Sequence, residues 1–332
     1  MKLIKSFIVL VFCLTCHGIK ASPEELRQEF IDLMVNEHQF KRTVIESTLA
    51  KANKNEVVLQ SIAKPWEAKP WFQYFPIFLT EKRLAKGLTF WQTHQQTLAR
   101  AEQETGVPAE IIVAIIGVET FYGTYQGKYS VLDALVTLGF HYPPRATFFR
   151  SELAQLFLLA QEEEFDITEL KGSYAGAMGW GQFISSSYRY YAVDFDGDGV
   201  RDLLNNPVDA IGSVANYFKK HHWKANNAIA FKAKVSGNQY SALLTQSLKY
   251  SHQWSQLQVA GVSITGEELN KDMSVKLFEF EQTNSKEYWV GLPNFYVITR
   301  YNHSPLYAMA VFQFSQQLKQ EFNVATTAKL ND

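Results

Sequence analysis

The chain has 332 residues, with 32 Lys+Arg against 33 Asp+Glu and a formal net charge of −1. Hydrophobic residues make up 46% and charged ones 20%, which excludes a disordered chain. A near-neutral balance whose longest basic cluster is Lys219-Lys220-His221-His222 excludes a general nucleic-acid binder, since such proteins concentrate positive charge. Aromatic residues reach 14%, more than one core needs, so some are expected to line a groove.

Residues 1–21 read as an export signal. Lys2 and Lys5 precede an apolar run from Ser6 to Cys16, too short to span a bilayer, and Ala21 is placed for cleavage before Ser22-Pro23. Both cysteines, Cys13 and Cys16, lie in this segment, so the mature chain is expected to hold no disulfide and no thiol chemistry. The expected address is the periplasm. The alternative makes Cys16 a lipidated residue and the protein an outer-membrane lipoprotein.

From Ser22 to about Lys64 the apolar spacing is helical, with Phe30, Leu33 and Met34, then Val44, Ile45 and Leu49. Pro65, Pro70 and Pro76 among Trp66, Trp71, Phe72, Tyr74, Phe75 and Phe78 predict an aromatic loop. Helix is predicted again over 84–122, with a break at Gly106-Val107-Pro108, and over 151–164. Residues 171–187, rich in glycine and serine, are expected to be irregular, and 207–221 to be helical. After about Ala225 the texture changes. Val275 to Phe280, Tyr288-Trp289-Val290 and Phe295 to Ile298 predict a small antiparallel sheet, separated by Asn284-Ser285 and Gly291-Leu292-Pro293-Asn294. Tyr307 to Phe322 returns to helix. The fold class expected is α+β, mainly α.

The run Pro108 to Thr120 carries the most information. Pro108 suits a first helical turn, and Ile111 to Val118 is apolar on every face, so this helix should be buried all round. Glu119 falls in its last turn, with Gly123 placed to stop the helix. Apolar surroundings and the negative end of a helix dipole both disfavour a charged carboxylate there. A carboxylic acid kept protonated near neutral pH is what a general acid requires. The competing expectation is that Glu119 pairs with an arginine or reaches water at the helix end.

Glu119-Thr120-Phe121-Tyr122-Gly123 resembles the catalytic signature of lytic transglycosylases, which cleave the glycan strands of peptidoglycan. Ile115 to Thr120, Gly172 to Phe183 and Asp209 to Phe218 extend the likeness to the membrane-bound lytic transglycosylase B family, in order from about Trp71 to Gln313. The resemblance implies a goose-lysozyme-like core at 106–224, a helical domain at 22–105 joined by a C-terminal helix at 305–325, and a small β domain at 225–304. It implies a monomer acting on peptidoglycan glycan strands, with other cell-wall enzymes as partners and no nucleic acid. Glu119 would be the catalytic acid and base. A non-catalytic glycan-binding module would keep the aromatics but has no need of Glu119. A secreted calcium-binding structural protein has no use for a buried acid helix.

The usual two-carboxylate glycosidase pair is not apparent, since the next acid, Asp133, reads as a helix start. By the motif match, Ser173 would contact the acetamido or muramyl region and Gln182 the bound glycan, on either side of glycines that let a sugar approach the backbone. Tyr217 is implied to point its hydroxyl toward Glu119. Asn302 would hold the carboxyl, while Tyr74, Tyr301 and Tyr307 would shape the cleft wall.

Asp194, Asp196 and Asp198 fall at positions one, three and five of an EF-hand loop, with Gly199 at six and the Val200 carbonyl next. Position twelve is Asn205 rather than glutamate. The family's lengthened loop implies Asp209 as the final acid. A structural Ca2+ is the cofactor expected, with no organic cofactor.

Overall fold

The computed structural model describes residues 22–63 and 69–331, with side chains to 327. The expected export segment, the cleavage after Ala21 and the Cys16 anchor lie outside the described residues. The chain divides into two compact units, Met1–Ser47 and Thr48–Asp332.

In the first unit, α1 (Pro23–Asn36) opens with a reciprocal cap. Ser22 Oγ accepts from Glu25 N, and the Glu25 carboxylate accepts from Ser22 N at 2.7 Å. Pro23 takes the first helical position and Glu24 and Glu25 face the positive end of the dipole. The helix α2 (Arg42–Lys51) begins here, with Arg42 paired to Asp32.

In the second unit, α3 (Glu56–Ile62) starts at Asn55, whose side chain accepts from Val57 N and Val58 N. The single helical stretch expected from Ser22 is therefore broken twice. The reasons are local: Gln39 sits at φ 61°, and Asn55 caps a new helix rather than extending an old one. The expected aromatic loop also contains a short helix, α4 (Trp71–Tyr74), followed by a 3-10 turn over Phe75–Ile77. Packing overrides the prolines here, since Trp71 is fully buried against Phe75 and Phe280, with ring centroids 5.3 Å away in each case.

Next come α5 (Glu81–Thr93), α6 (Gln95–Thr105) and α7 (Ala109–Thr120). The break between α6 and α7 lies where expected, with Gly106 left-handed at φ 72°. A two-residue pair, β1 (Tyr129–Ser130) and β2 (Lys171–Gly172), brackets α8 (Val131–His141) and α9 (Ala146–Glu162). Then follow α10 (Ser185–Tyr191) and α11 (Pro207–Lys220). The helix α7 lies at the centre of this unit, packed against α5, α6, α11 and α14 (Pro305–Asn331). No helix of the described residues is long and apolar enough to cross a membrane.

The late sheet contains β3 (Ala230–Val235), β4 (His252–Gln253), β5 (Val262–Ile264), β6 (Ser274–Glu281) and β7 (Lys286–Gly291), with α12 (Trp254–Val259) packed against β4, β5 and β6. Its order is β4-β6-β7-β3-β5, antiparallel throughout, with Leu277 opposite Val290 and Phe278 opposite Trp289. Leu277, Val290, Val262, Val275, Trp254 and Leu257 form its core. One expected strand is a helix: Phe295 to Ile298 belongs to α13 (Pro293–Tyr301). A four-residue apolar run has no distinguishing period, and Pro293 at the first turn, with Phe295, Ile298 and Thr299 all buried, decides for helix.

Candidate active site

The helix α7 is hydrophobic all round and its apolar residues are buried, Ile111 to Ile116 completely. Each such isoleucine contributes about 1.5–3 kcal/mol relative to exposure, so the helix is a rigid support for what it carries. Glu110, in its first turn, is buried and accepts from Lys319 Nζ of α14 at 2.8 Å. At the other end, Tyr307 of α14 donates its hydroxyl to Glu119 Oε1 at 2.6 Å. Two side-chain bonds thus tie the antiparallel helices α7 and α14 near both ends.

The helix ends at Thr120, three residues before the glycine expected to stop it. Phe121 (φ 52°) and Tyr122 (φ 55°) are both left-handed, followed by Gly123 at φ 74°. Left-handed backbone costs an ordinary residue roughly 1–2 kcal/mol. Thr120 holds the turn: its hydroxyl donates to Trp180 O at 2.9 Å and accepts from Gly123 N at 3.0 Å. Tyr122 is buried against α5 and α7. A Cβ on Gly87 or Gly117 would lie 2.3 or 2.5 Å from its hydroxyl, which is why both positions are glycine. That burial drives the Tyr122 phenol far above its usual range.

Glu119 is only half-buried, so the fully enclosed acid expected from the sequence is corrected. The helix points its last turn into a cleft of about 760 Å³. Glu119 is the sole carboxylate among the described residues that line this cleft. Asp133 lies elsewhere, accepting from Asn53 N at 2.9 Å near the start of α8.

Ser173, Gln182, Tyr217, Tyr301 and Asn302 line the same cleft as Glu119. Ser173 Oγ accepts from Ala175 N and Ala177 N, which shapes the glycine loop. Gln182, left-handed at φ 50°, donates Nε2 to Gln126 O at 3.1 Å and Gly179 O at 2.9 Å. Its amide nitrogen is thereby spent on backbone. The Tyr217 hydroxyl donates to Arg300 O at 2.6 Å, not to Glu119 as the motif match implied. Its ring stacks on His221 with centroids 4.1 Å apart. Tyr301 donates to Gly181 O at 2.6 Å.

Tyr74 and Tyr307 are almost fully buried and are not among the cleft-lining side chains, so they do not form its wall. They lie behind Glu119, where burial first and the Glu119 charge second hold the Tyr307 phenol well above its usual range. Tyr301 responds in the same way for the same two causes. Sequence reasoning did not bring together the basic side of the cleft, formed by Arg145, Arg300, His221 and His303, of which His303 alone invites an acid–base reading. No local motif marks these residues, which come from three separate segments. Arg300 Nη1 lies 3.0 Å from His303 Nε2. Burial first, then the charges of Arg300 and Arg145, lowers the affinity of His303 for a proton.

The acidic loop follows α10. Carboxylate oxygens of Asp194, Asp196 and Asp209 lie within 4.8 Å of one another. Asp209 is fully buried; burial raises its proton affinity although Phe195 N and Asp202 N donate to its two oxygens. Asp194 is held in the opposite direction by backbone donors, Gly199 N foremost. Three converging oxygens of this kind suit a hard cation such as Ca2+. Asp198 is outside this group and accepts from Val200 N at 2.9 Å. Asn205, at loop position twelve, donates to Asp202 instead of facing the cluster. Arg201, paired with Glu162 and Glu163, fastens the far side of the loop to the end of α9.

Residues 22–316 match the family described as the transglycosylase SLT domain. Membrane-bound lytic murein transglycosylase B of Escherichia coli K12 is 45% identical over 299 residues, 87% of this chain and 81% of that protein. The Escherichia coli lytic transglycosylase Slt35, solved in complex with calcium, superposes with a TM-score of 0.82 at 44% identity, covering 90% of this chain and 93% of that one. SltB3 of Pseudomonas aeruginosa, solved in complex with NAG-anhNAM-pentapeptide, gives 0.78 at 28% identity over 90% of this chain and 80% of its own. The chain belongs to the transglycosylase SLT family.

Proposed function

We propose that this chain is a lytic transglycosylase that cleaves the β-1,4 bond between N-acetylmuramic acid and N-acetylglucosamine, leaving a 1,6-anhydro-muramyl end. One observation carries the reading: Glu119 is the lone carboxylate among the described residues of a cleft whose other side chains are aromatic, aliphatic, hydroxyl, amide or basic. A hydrolase of the usual kind needs two carboxylates. With one, a single group serves as acid and then as base.

The protonated Glu119 gives its proton to the glycosidic oxygen as the bond from that oxygen to C1 breaks. The muramyl 2-acetamido oxygen shares the positive charge developing at C1. The Glu119 carboxylate then takes the proton of the C6 hydroxyl as O6 bonds to C1. The carboxyl group is regenerated, the anhydro ring is closed and no water is consumed. The anhydro-muramyl ligand of SltB3 supports this product.

Ser173 retains its O–H for the acetamido region, because its oxygen already accepts two backbone bonds. Gln182 serves through its carbonyl oxygen, since its nitrogen is engaged. Tyr217 and Tyr301 present ring faces rather than hydroxyls, and Asn302, in the same cleft, holds the Glu119 carboxyl. Tyr307, with Tyr74 near it, orients the carboxylate from behind. Asp194, Asp196 and Asp209 would hold a structural Ca2+, supported by the calcium of Slt35, with Asp198 and the Val200 carbonyl as the further ligands the resemblance implies. The protein works as an exported monomer on glycan strands, with the three domain boundaries given above.

Glu119→Gln keeps the shape and removes the proton cycle. It should abolish solubilisation of purified peptidoglycan while the fold persists. Mass spectrometry of wild-type products should show anhydro ends; reducing ends would mean hydrolysis and overturn the reading.

A further inference from the structure

The two strained residues after α7, Phe121 and Tyr122, follow closely on Glu119 in sequence, and strain of this kind persists only where the surroundings over-determine it. One side chain joins those surroundings together. Arg83, in the first turn of α5, donates Nε to Gly117 O of α7 at 3.1 Å. Its Nη1 donates to Ile77 O at 2.6 Å and Phe78 O at 2.7 Å. Its guanidinium carbon lies 5.3 Å from the Phe121 ring centroid and 5.5 Å from that of Phe78.

Gly117 O also accepts from Phe121 N at 3.1 Å, the bond that turns the chain out of the helix. Arg83 therefore holds one carbonyl in the last turn of α7, the same one that receives the first bond of the left-handed turn. A cation is also favoured at that end by the helix dipole. The path then closes on itself. Phe78 packs on Tyr74, with centroids 5.1 Å apart. Tyr74 is near enough to Tyr307 to influence its ionisation, and Tyr307 donates to Glu119.

We propose that Arg83 is a positioning residue for Glu119: it locks the end of α7 to the turn over residues 75–78, so that the carboxyl group meets the glycosidic oxygen in reactive geometry. The inference rests on the Glu119 reading. Arginine suits this task because its planar fork reaches carbonyls in two directions at once, whereas lysine donates from a single point. A misplacement near 1 Å is enough to cost about a hundredfold in rate.

The test measures steady-state turnover of soluble glycan strands by four variants. Arg83→Met keeps the stem against both rings and removes every donor. We expect kcat to fall about 10- to 100-fold with KM held within about twofold, the pattern of an interaction that acts in the transition state. Arg83→Lys should recover part of kcat, and it carries the same test where Arg83→Met does not fold. Asn55→Ala removes the N-cap of α3, whose side chain accepts from Val57 N and Val58 N, without touching Arg83 or α7. It should lower the melting temperature and leave kcat within about twofold. Full kcat in the Arg83 variants beside an inactive Glu119→Gln overturns this inference alone. An equal loss of kcat in Asn55→Ala also overturns it, since general loosening would then be the cause. An active Glu119→Gln overturns the underlying reading instead.

Discussion

Tyr307→Phe removes the hydrogen bond that the buried Tyr307 donates to Glu119. The substitution deletes a single oxygen that donates to Glu119 Oε1 at 2.6 Å. The ring remains and still stacks on Tyr301, whose centroid lies 6.5 Å away at an interplanar angle of 7°. Packing loss is therefore minor and the bond dominates. Measured at a pH high enough to ionise Glu119, a hydrogen bond to this charged partner contributes about 1.5–3 kcal/mol net. At roughly 2 °C per kcal/mol for a chain this long, the melting temperature should fall by about 3–6 °C. If a loss of about 2 kcal/mol appears in the transition state, kcat falls roughly thirtyfold. The assay is a double-mutant cycle with Glu119→Ala, which removes the acceptor oxygen, read by chemical denaturation, beside peptidoglycan turnover by the single Tyr307 variant. A coupling of at least about 1 kcal/mol is expected. Coupling within about 0.5 kcal/mol of zero together with unchanged turnover would refute the assignment of Tyr307 as the residue orienting the acid.

Calcium added to chelated protein at about a hundred times its dissociation constant should stabilise the fold by about 2.7 kcal/mol. Asp209→Asn should abolish that gain, and a calorimetric titration without heat of binding would sink the site. The cleft histidines predict the behaviour in acid. Burial and neighbouring arginines hold His221 and His303 below the usual value of 6.5 in the folded protein. The unfolded chain therefore binds protons first, and stability is lost as the pH falls through about 6.5 toward the folded values. His303→Gln should flatten the change in denaturation midpoint between pH 7.5 and 5.5; an unaltered slope would remove His303 from that role.

The elements read correctly from sequence share one property: their signal is local. The all-round apolar run of Ile111 to Val118 sets a buried helix without reference to any partner, and Pro108 and Gly106 mark its start. The alternating carboxylates from Asp194 to Asp198 mark their loop in the same way, and Asp209 reaches the cluster through the resemblance alone. The misread element, α13, is too short to carry a period. Its helix is decided by the burial of Phe295 and Ile298.

What the chain alone determines is therefore the support and the acid: a rigid hydrophobic helix with one carboxylate in its last turn. What tertiary structure decides is how that carboxylate is held and what faces it. Tyr307 is 188 residues from Glu119 in sequence, and Arg83 is 34 from the carbonyl it grips. The basic wall gathers Arg145, His221 and Arg300 from distant segments. Such partners are chosen by the packing of α5, α11, α13 and α14 around α7. No spacing along the chain encodes them, because side-chain hydrogen bonds depend on distances that only the folded core brings within 3 Å.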